Sequence, residues 1–309
     1  MNNELSKYIL TTLTYYDVMD YPMTGFEIWK YLTRISEQEP VSNNIFSLTD
    51  VMKELKEDKL KKFIEEYRGY YFLKGRKELV EQRIERNKIA EQKFRIVKKV
   101  AWWLRFAPFV RGVAVAGRLA MKNTEAKSDL DLLIFIQQGK IFTGRLLATF
   151  LVHILGKRRH SNKINNRICL NHFVTDDFFV SVKDSFSAHE YAFSVPIFNA
   201  NVFGEFQKKN EWIKKYKINF EASENNLKLV MDSFLASVIR RSLEKMLQAN
   251  FIEKMLGQWQ KKRIEKNPKS KQIGGVIICN DSELAFWPNF ENQGPKVFEK
   301  FQNRLVDLK

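Results

Sequence analysis

The stretch VAVAGRLAMKNTEAKSDLDLLIFI, Val113 to Ile136, constrains the fold more than any other part of the chain. An apolar run ends at Gly117-Arg118, a polar loop follows, and Ser128-Asp-Leu-Asp131 leads into a second apolar run. Short, continuous apolar runs bounded by turn residues read as strands covered on both faces. A sheet covered on both faces needs helices as its outer layers, so the pattern predicts an α+β chain with a mixed central sheet. Side chains alternate along a strand, so Asp129 and Asp131 project to one side while Leu130 and Leu132 pack on the other. Two neighbouring carboxylates disfavour each other's ionisation, and burying them is costly unless a cation pairs with them.

The rest of the chain supplies cations in excess. Its 309 residues carry 52 Lys+Arg against 36 Asp+Glu, a net charge of +16. Such a balance attracts polyanions: nucleotides, RNA, another nucleic acid or an anionic surface. Between Asp131 and Asp176 stand seven basic residues (Lys140, Arg145, Lys157, Arg158, Arg159, Lys163, Arg167) and no acidic one. Hydrophobic residues at 44% and aromatics at 13% are ample for a packed core and exclude a largely disordered chain. Cys169 and Cys279 sit in apolar runs without CxxC spacing. They read as buried reduced thiols rather than zinc ligands, the usage of a cytoplasmic protein. The N-terminus has no signal-peptide pattern. The most apolar segment, 141–155, is too short to span a bilayer and contains Arg145 and His153, so a soluble protein with no membrane partner is expected.

Residues 1–76 read as a winged-helix-like unit. LSKYILTTLTYYDVM has helical spacing and stops before Pro22. Thr24 with Glu27 forms a capping box for a helix through GFEIWKYLTRI, the loop SEQEPVSNN follows, and Ser47 caps LTDVMKELKEDK. KKFIEEYRGYYFLKG is a hairpin turning at Arg68-Gly69. Acidic residues in the third helix offset its lysines, so a groove-reading role is not favoured over protein contact. Residues 77–106 form an amphipathic linking helix, with Trp102-Trp103 expected in the core. Residues 107–200 carry the strands around the Asp pair. Residues 201–309 are mainly helical, with one long helix or a bent pair from Asn225, a hairpin in GGVIICNDSELAFWP and a last helix.

An apolar strand, Gly, a loop and then Ser-Asp-x-Asp heading another strand resembles the signature of the polymerase-β-like nucleotidyltransferase superfamily. Gly117 and Asp129 are 129 − 117 = 12 positions apart, as in many members. YYDVMDYPMTGFEIW, GKRRHSNKINNRICLN and SAHE (Ser187 to Glu190) resemble an uncharacterised bacterial group of such proteins with an N-terminal winged helix. The resemblance implies a transferase in which Asp129 and Asp131 are catalytic and hold Mg²⁺ or Mn²⁺ on the triphosphate of an NTP such as ATP. Gly117, Arg118, Lys122 and Ser128 fall at nucleotide-binding positions, and Asn171 at the third metal-site position. The implied acceptor is a hydroxyl on RNA, protein or a small molecule, and the winged-helix unit would contact nucleic acid or protein. Arg118 replaces the usual small Ser, and Asn171 stands where an Asp or Glu is usual. An Asn cannot act as a base, so a degenerate module that binds nucleotide or nucleic acid is the alternative, or an interaction protein that pairs with a second protein. His172 is expected on the strand face opposite Asn171, and Asp176 and Asp177 in a turn.

Overall fold

The computed structural model describes residues 3–34, 46–160, 163–222, 229–288, 290–293 and 295–307. The chain begins with α1 (Asn3–Asp17), β1 (Met23–Thr24), α2 (Gly25–Lys30), α3 (Leu48–Glu54), α4 (Asp58–Lys61), β2 (Ile64–Tyr67) and β3 (Tyr70–Leu73). The three strands form a small sheet in the order β1-β3-β2, in which β1 adds a third strand to the expected hairpin. The expected capping box of Thr24 with Glu27 is present, and the expected Ser47 cap is completed into a second box by Asp50. In the β2–β3 turn, Arg68 and Gly69 both take positive φ (54° and 80°), which a two-residue hairpin of this hand requires. Helix α2 stops earlier than its pattern suggests, because Thr33 leaves the helix to bridge Lys217 and its N–H donates to Thr12 Oγ1 at 2.8 Å. The loop expected at 36–44 lies outside the described residues.

A 27-residue helix, α5 (Glu78–Leu104), leads into β4 (Val110–Val115), α6 (Gly117–Ala120), β5 (Leu130–Ile136), α7 (Ile141–Ile154) and β6 (Ile168–Thr175). Then come α8 (Ser185–Phe193), β7 (Val195–Phe198), α9 (Ala200–Lys209), α10 (Phe234–Met246) and α11 (Asn250–Glu265). The chain finishes with β8 (Val276–Cys279), β9 (Glu283–Trp287), α12 (Phe290–Gln293) and α13 (Pro295–Asp307). The long segment from Asn225 is thus a pair, α10 and α11, broken between Met246 and Asn250; residues 223–228 lie outside the described residues. Trp102 and Trp103 are not core residues. They are 41% and 45% exposed and pack edge to face on each other beside Phe106.

The central sheet has six strands in the order β7-β4-β5-β6-β9-β8, with β5 and β6 parallel and the other pairs antiparallel. Its strands come from both 107–200 and 201–309, since β9 pairs with β6. β5 explains its own composition. Leu130, Leu132, Ile134 and Ile136 pack in one layer with Phe94 and Val97 of α5 and Ala148 and Val152 of α7. Leu133 and Phe135 pack in the opposite layer with Tyr191 of α8 and Phe203 and Phe206 of α9. Alternation therefore sends Asp131 to the α8 side, where the layer is left open as a cleft. Among the described residues no helix is long and apolar enough to cross a membrane.

Candidate functional site

The cleft has a volume of about 460 Å³, and Gly117, Arg118, Asp129, Asp131, Asn171 and Glu190 all line it. Its lining also includes the aromatic residues Phe186, Trp287 and Phe290. Gly117 takes φ +65° where β4 turns into α6. A Cβ there would stand 2.9 Å from Asp131 Oδ2, so the close approach of backbone to carboxylate needs glycine. Asp129, Asp131 and Cys169 each bring a ligand atom into a cluster within 4.8 Å.

Each member has an internal partner. Arg159 Nη1 pairs with Asp129 Oδ2 and lies 3.6 Å from Cys169 Sγ. Asn171 Nδ2 donates to Asp131 Oδ1 at 3.2 Å. The Gly117 N–H donates to Glu190 Oε2 at 3.0 Å. Burial, then the charge of Asp129, pushes Asp131 up to about 7, against hydrogen bonds from Cys169 and Asn171 and the charge of Arg159. Burial, then the charge of Asp131, pushes Glu190 up to about 8, against the Gly117 N–H. The region therefore holds more carboxyl groups than it can comfortably ionise, the electrostatic state that a divalent cation relieves.

Other expected residues are placed differently. Lys122 turns away to pair with Glu91 of α5 at 2.7 Å and does not line the cleft. Ser128 is held through its backbone, its carbonyl accepting from the buried Lys93 at 2.7 Å, and its side chain also stays out of the cleft. Arg118 lines the cleft with a half-exposed side chain that reaches Glu125 at 3.2 Å. Asp176 and Asp177 serve turns: Asp176 accepts from Gln138 N, and Asp177 accepts from Thr175, Phe179 and Ser282.

His172 corrects the expectation of strict alternation. Along the β5–β6 ladder Asp131 pairs with Cys169 but Leu133 pairs with His172, so β6 carries one extra residue, and Asn171 and His172 both line the cleft. His172 Nε2 meets Glu283 Oε1 at 3.0 Å, and Glu283 also accepts from Ser181 N at 2.7 Å. Burial alone would raise Glu283, but these bonds hold it below its ordinary value. His172 is a satisfied, buried histidine.

Sequence reasoning assigned no role to α8. Asp184 caps it through Ser187 N, and the helix presents His189 and Glu190 to the cleft. His189 Nδ1 lies 3.2 Å from Tyr16 Oη, while its Nε2 has no partner. Burial, then the charge of Lys217, holds His189 neutral. The hints were the resemblance carried by SAHE itself and the capping signal Asp184-x-x-Ser187 that opens the helix. Cys169 and Cys279 are free and partly buried.

Arg159 competes with any cation for Asp129. Arg159→Ala is accordingly expected to tighten Mn²⁺ binding several-fold by calorimetry; unchanged affinity would mean that the pair is no obstacle to the metal. No family model, curated protein or solved structure matches this chain.

Proposed function

We propose that this chain is a metal-dependent nucleotidyltransferase, moving a nucleotidyl group from an NTP to a hydroxyl acceptor on RNA, protein or a small molecule. The observation that supports it is the convergence of Asp129, Asp131 and Glu190 around Gly117 at the head of one cleft. The donor set suits Mg²⁺ or Mn²⁺: two carboxylates, with the Cys169 sulfur in the same cluster favouring the softer Mn²⁺. When bound, such a cation neutralises phosphoryl oxygens and the departing pyrophosphate.

The chain's own residues supply the rest. Asp129 and Asp131 would hold the cation. Arg118, once it leaves the exposed Glu125, offers a bidentate fork to a phosphate. Glu190 takes the role that Asn171 cannot. Its Oε2 is fixed by the Gly117 N–H, and its Oε1 accepts the acceptor's proton as the new O–P bond forms and the bond to pyrophosphate breaks. A basicity raised to about 8 suits that task near neutral pH. The winged-helix-like unit offers a docking surface for nucleic acid or protein. A cytoplasmic setting suits the two free thiols.

The test is incubation with labelled NTPs, Mg²⁺ or Mn²⁺ and candidate acceptors. Asp129→Ala and Asp131→Ala are each expected to lower labelling at least ~100-fold, and Glu190→Gln to flatten the rise of rate with pH. Labelling that survives intact in Asp129→Ala would sink the reading.

A second reading rests on a specific observation. The Gly117 N–H, Asp129 and Asp131 are all satisfied internally, by Glu190, Arg159 and Asn171. That suits a degenerate module that binds nucleotide or nucleic acid without turnover. Tight, metal-independent ATP binding by calorimetry, with no product, selects it.

A further inference from the structure

Helix α10 is inside out. Its inward side carries Ala236, Arg240 and Glu244. Arg240 donates to the Arg105 carbonyl and Asp232, and Glu244 accepts from Phe109 N and Arg111. Its apolar side chains face solvent: Phe234 at 88%, Leu235, Val238, Ile239, Leu243 and Met246 at 77%. Helix α11, three residues further on, exposes Phe251, Met255 and Trp259 at intervals of four. An amphipathic helix ordinarily turns its apolar stripe to the core. Here a polar network anchors the helix and leaves the stripe uncovered.

The patch is large. The six side chains on α10 together expose on the order of 700 Å², beyond the 300–600 Å² or so of the largest patch on a typical monomer. That matches the roughly 800 Å² per partner of a standard interface. Leu235, Ile239, Ser242 and Met246 are spaced four, three and four apart, the 3.5-residue repeat with which a helix packs along another helix. Arg241 and Lys245 flank the seam. A seam apolar at three of its four positions, Ser242 being the exception, is complementary to itself, and closed two-fold dimers are the commonest assembly. Flanking cations on two copies repel, but exposed charges are strongly screened at physiological salt, whereas apolar burial is not.

We propose that the exposed face of α10 binds a second copy of this chain, the two α10 seams packing against each other across a two-fold axis. α10 is anchored to Arg105, Phe109 and Arg111 beside the start of β4, whereas Gly117 and the cleft lie beyond its other end, so the assembled pair leaves both clefts open.

Sedimentation velocity of the full chain from 0.5 to 50 µM tests this. Wild type is expected to sediment at twice the 36.6 kDa chain mass, and equally at 0.5 M NaCl. Leu235→Glu with Met246→Glu is expected to weaken association at least ~100-fold and give a monomer. Far-UV circular dichroism should stay unchanged, since both side chains are already exposed. Ile273→Ser, at an exposed apolar residue outside the patch, should leave the dimer intact. A wild type that stays monomeric at 50 µM, or a dimer indifferent to the double variant, overturns the proposal. So does a monomer that co-sediments with vesicles containing anionic phosphatidylserine and is released by salt, which would assign the face to a lipid surface.

Discussion

Lys217→Met is expected to raise the melting temperature at pH 7 and to abolish most of its rise between pH 7 and 10. Lys217 is completely buried. Its Nζ donates to Thr33 Oγ1 at 2.8 Å and lies 4.6 and 4.8 Å from the ring centres of Tyr15 and Tyr16. Burial lowers it to about 7 from an ordinary 10.5. Between those values the unfolded chain binds a proton that the folded chain does not, so stability falls as pH drops from about 10.5 to 7 and then levels off. The loss at pH 7 is on the order of 4 kcal/mol. Methionine fills the same volume with nothing to protonate. The lost hydrogen bond costs about 1 kcal/mol, since Thr33 Oγ1 still donates to the Tyr31 carbonyl. Thermal melts at pH 6, 7, 8.5 and 10 read the effect. A variant that melts lower than wild type at pH 7 would show that the ammonium stays charged against the two tyrosine rings.

Asp131→Asn, measured in EDTA, should melt higher than wild type at pH 8 and equally at pH 4. The carboxyl titrates at about 7 in the fold and near 3.8 when unfolded. Below 4 it is protonated in both states and costs nothing. From 4 to 7 only the unfolded chain ionises, so stability is lost as pH rises, and above 7 the loss is complete. Partial exposure to cleft water brings the expected gain to about 2–4 kcal/mol. Asparagine keeps an oxygen for Asn171 Nδ2. Saturating Mn²⁺ should reverse the ranking, because wild type gains a cation ligand that the variant lacks. Equal melts across the pH range would mean that Asp131 ionises freely and that the crowding around it is relieved by solvent. The substitution would trade function for stability, as expected where a site stores like charges.

Local chemistry was legible wherever a residue type acts through its neighbours. Thr24 with Glu27, Ser47 and Arg68-Gly69 announced their caps and turn. The continuous apolar run after Asp131 announced a strand covered on both faces, and Asp129 and Asp131 do share the cleft with Gly117. What remained hidden depends on pairings between distant segments. Nothing near Glu190 says that α8 delivers it to the Gly117 N–H. The extra residue that brings His172 to the cleft exists only in the register between β5 and β6. Arg159 was one cation among seven, and only the bridge of Arg158 to Ile168, with the Arg159 N–H donating to the Ile168 carbonyl, selects it for Asp129. Trp102 and Trp103 misled for the same reason: their size predicts burial, but the inward side of α5 was already filled by Val97, Val100, Ala101 and Leu104.

The partnership of β6 with β9 decides how this chain can be cut. β6 is eight residues long and carries Ile168, Phe173 and Val174 between two filled layers. A fragment that stops near residue 200 retains the Asp pair yet strips one side of β6 of its hydrogen-bonding neighbour and removes the Glu283 that holds His172 and Ser181. Such a bare margin recruits strands from other molecules. Shortened versions of the protein should precipitate or pair strand to strand, and solubility should return only when the sequence extends through Trp287.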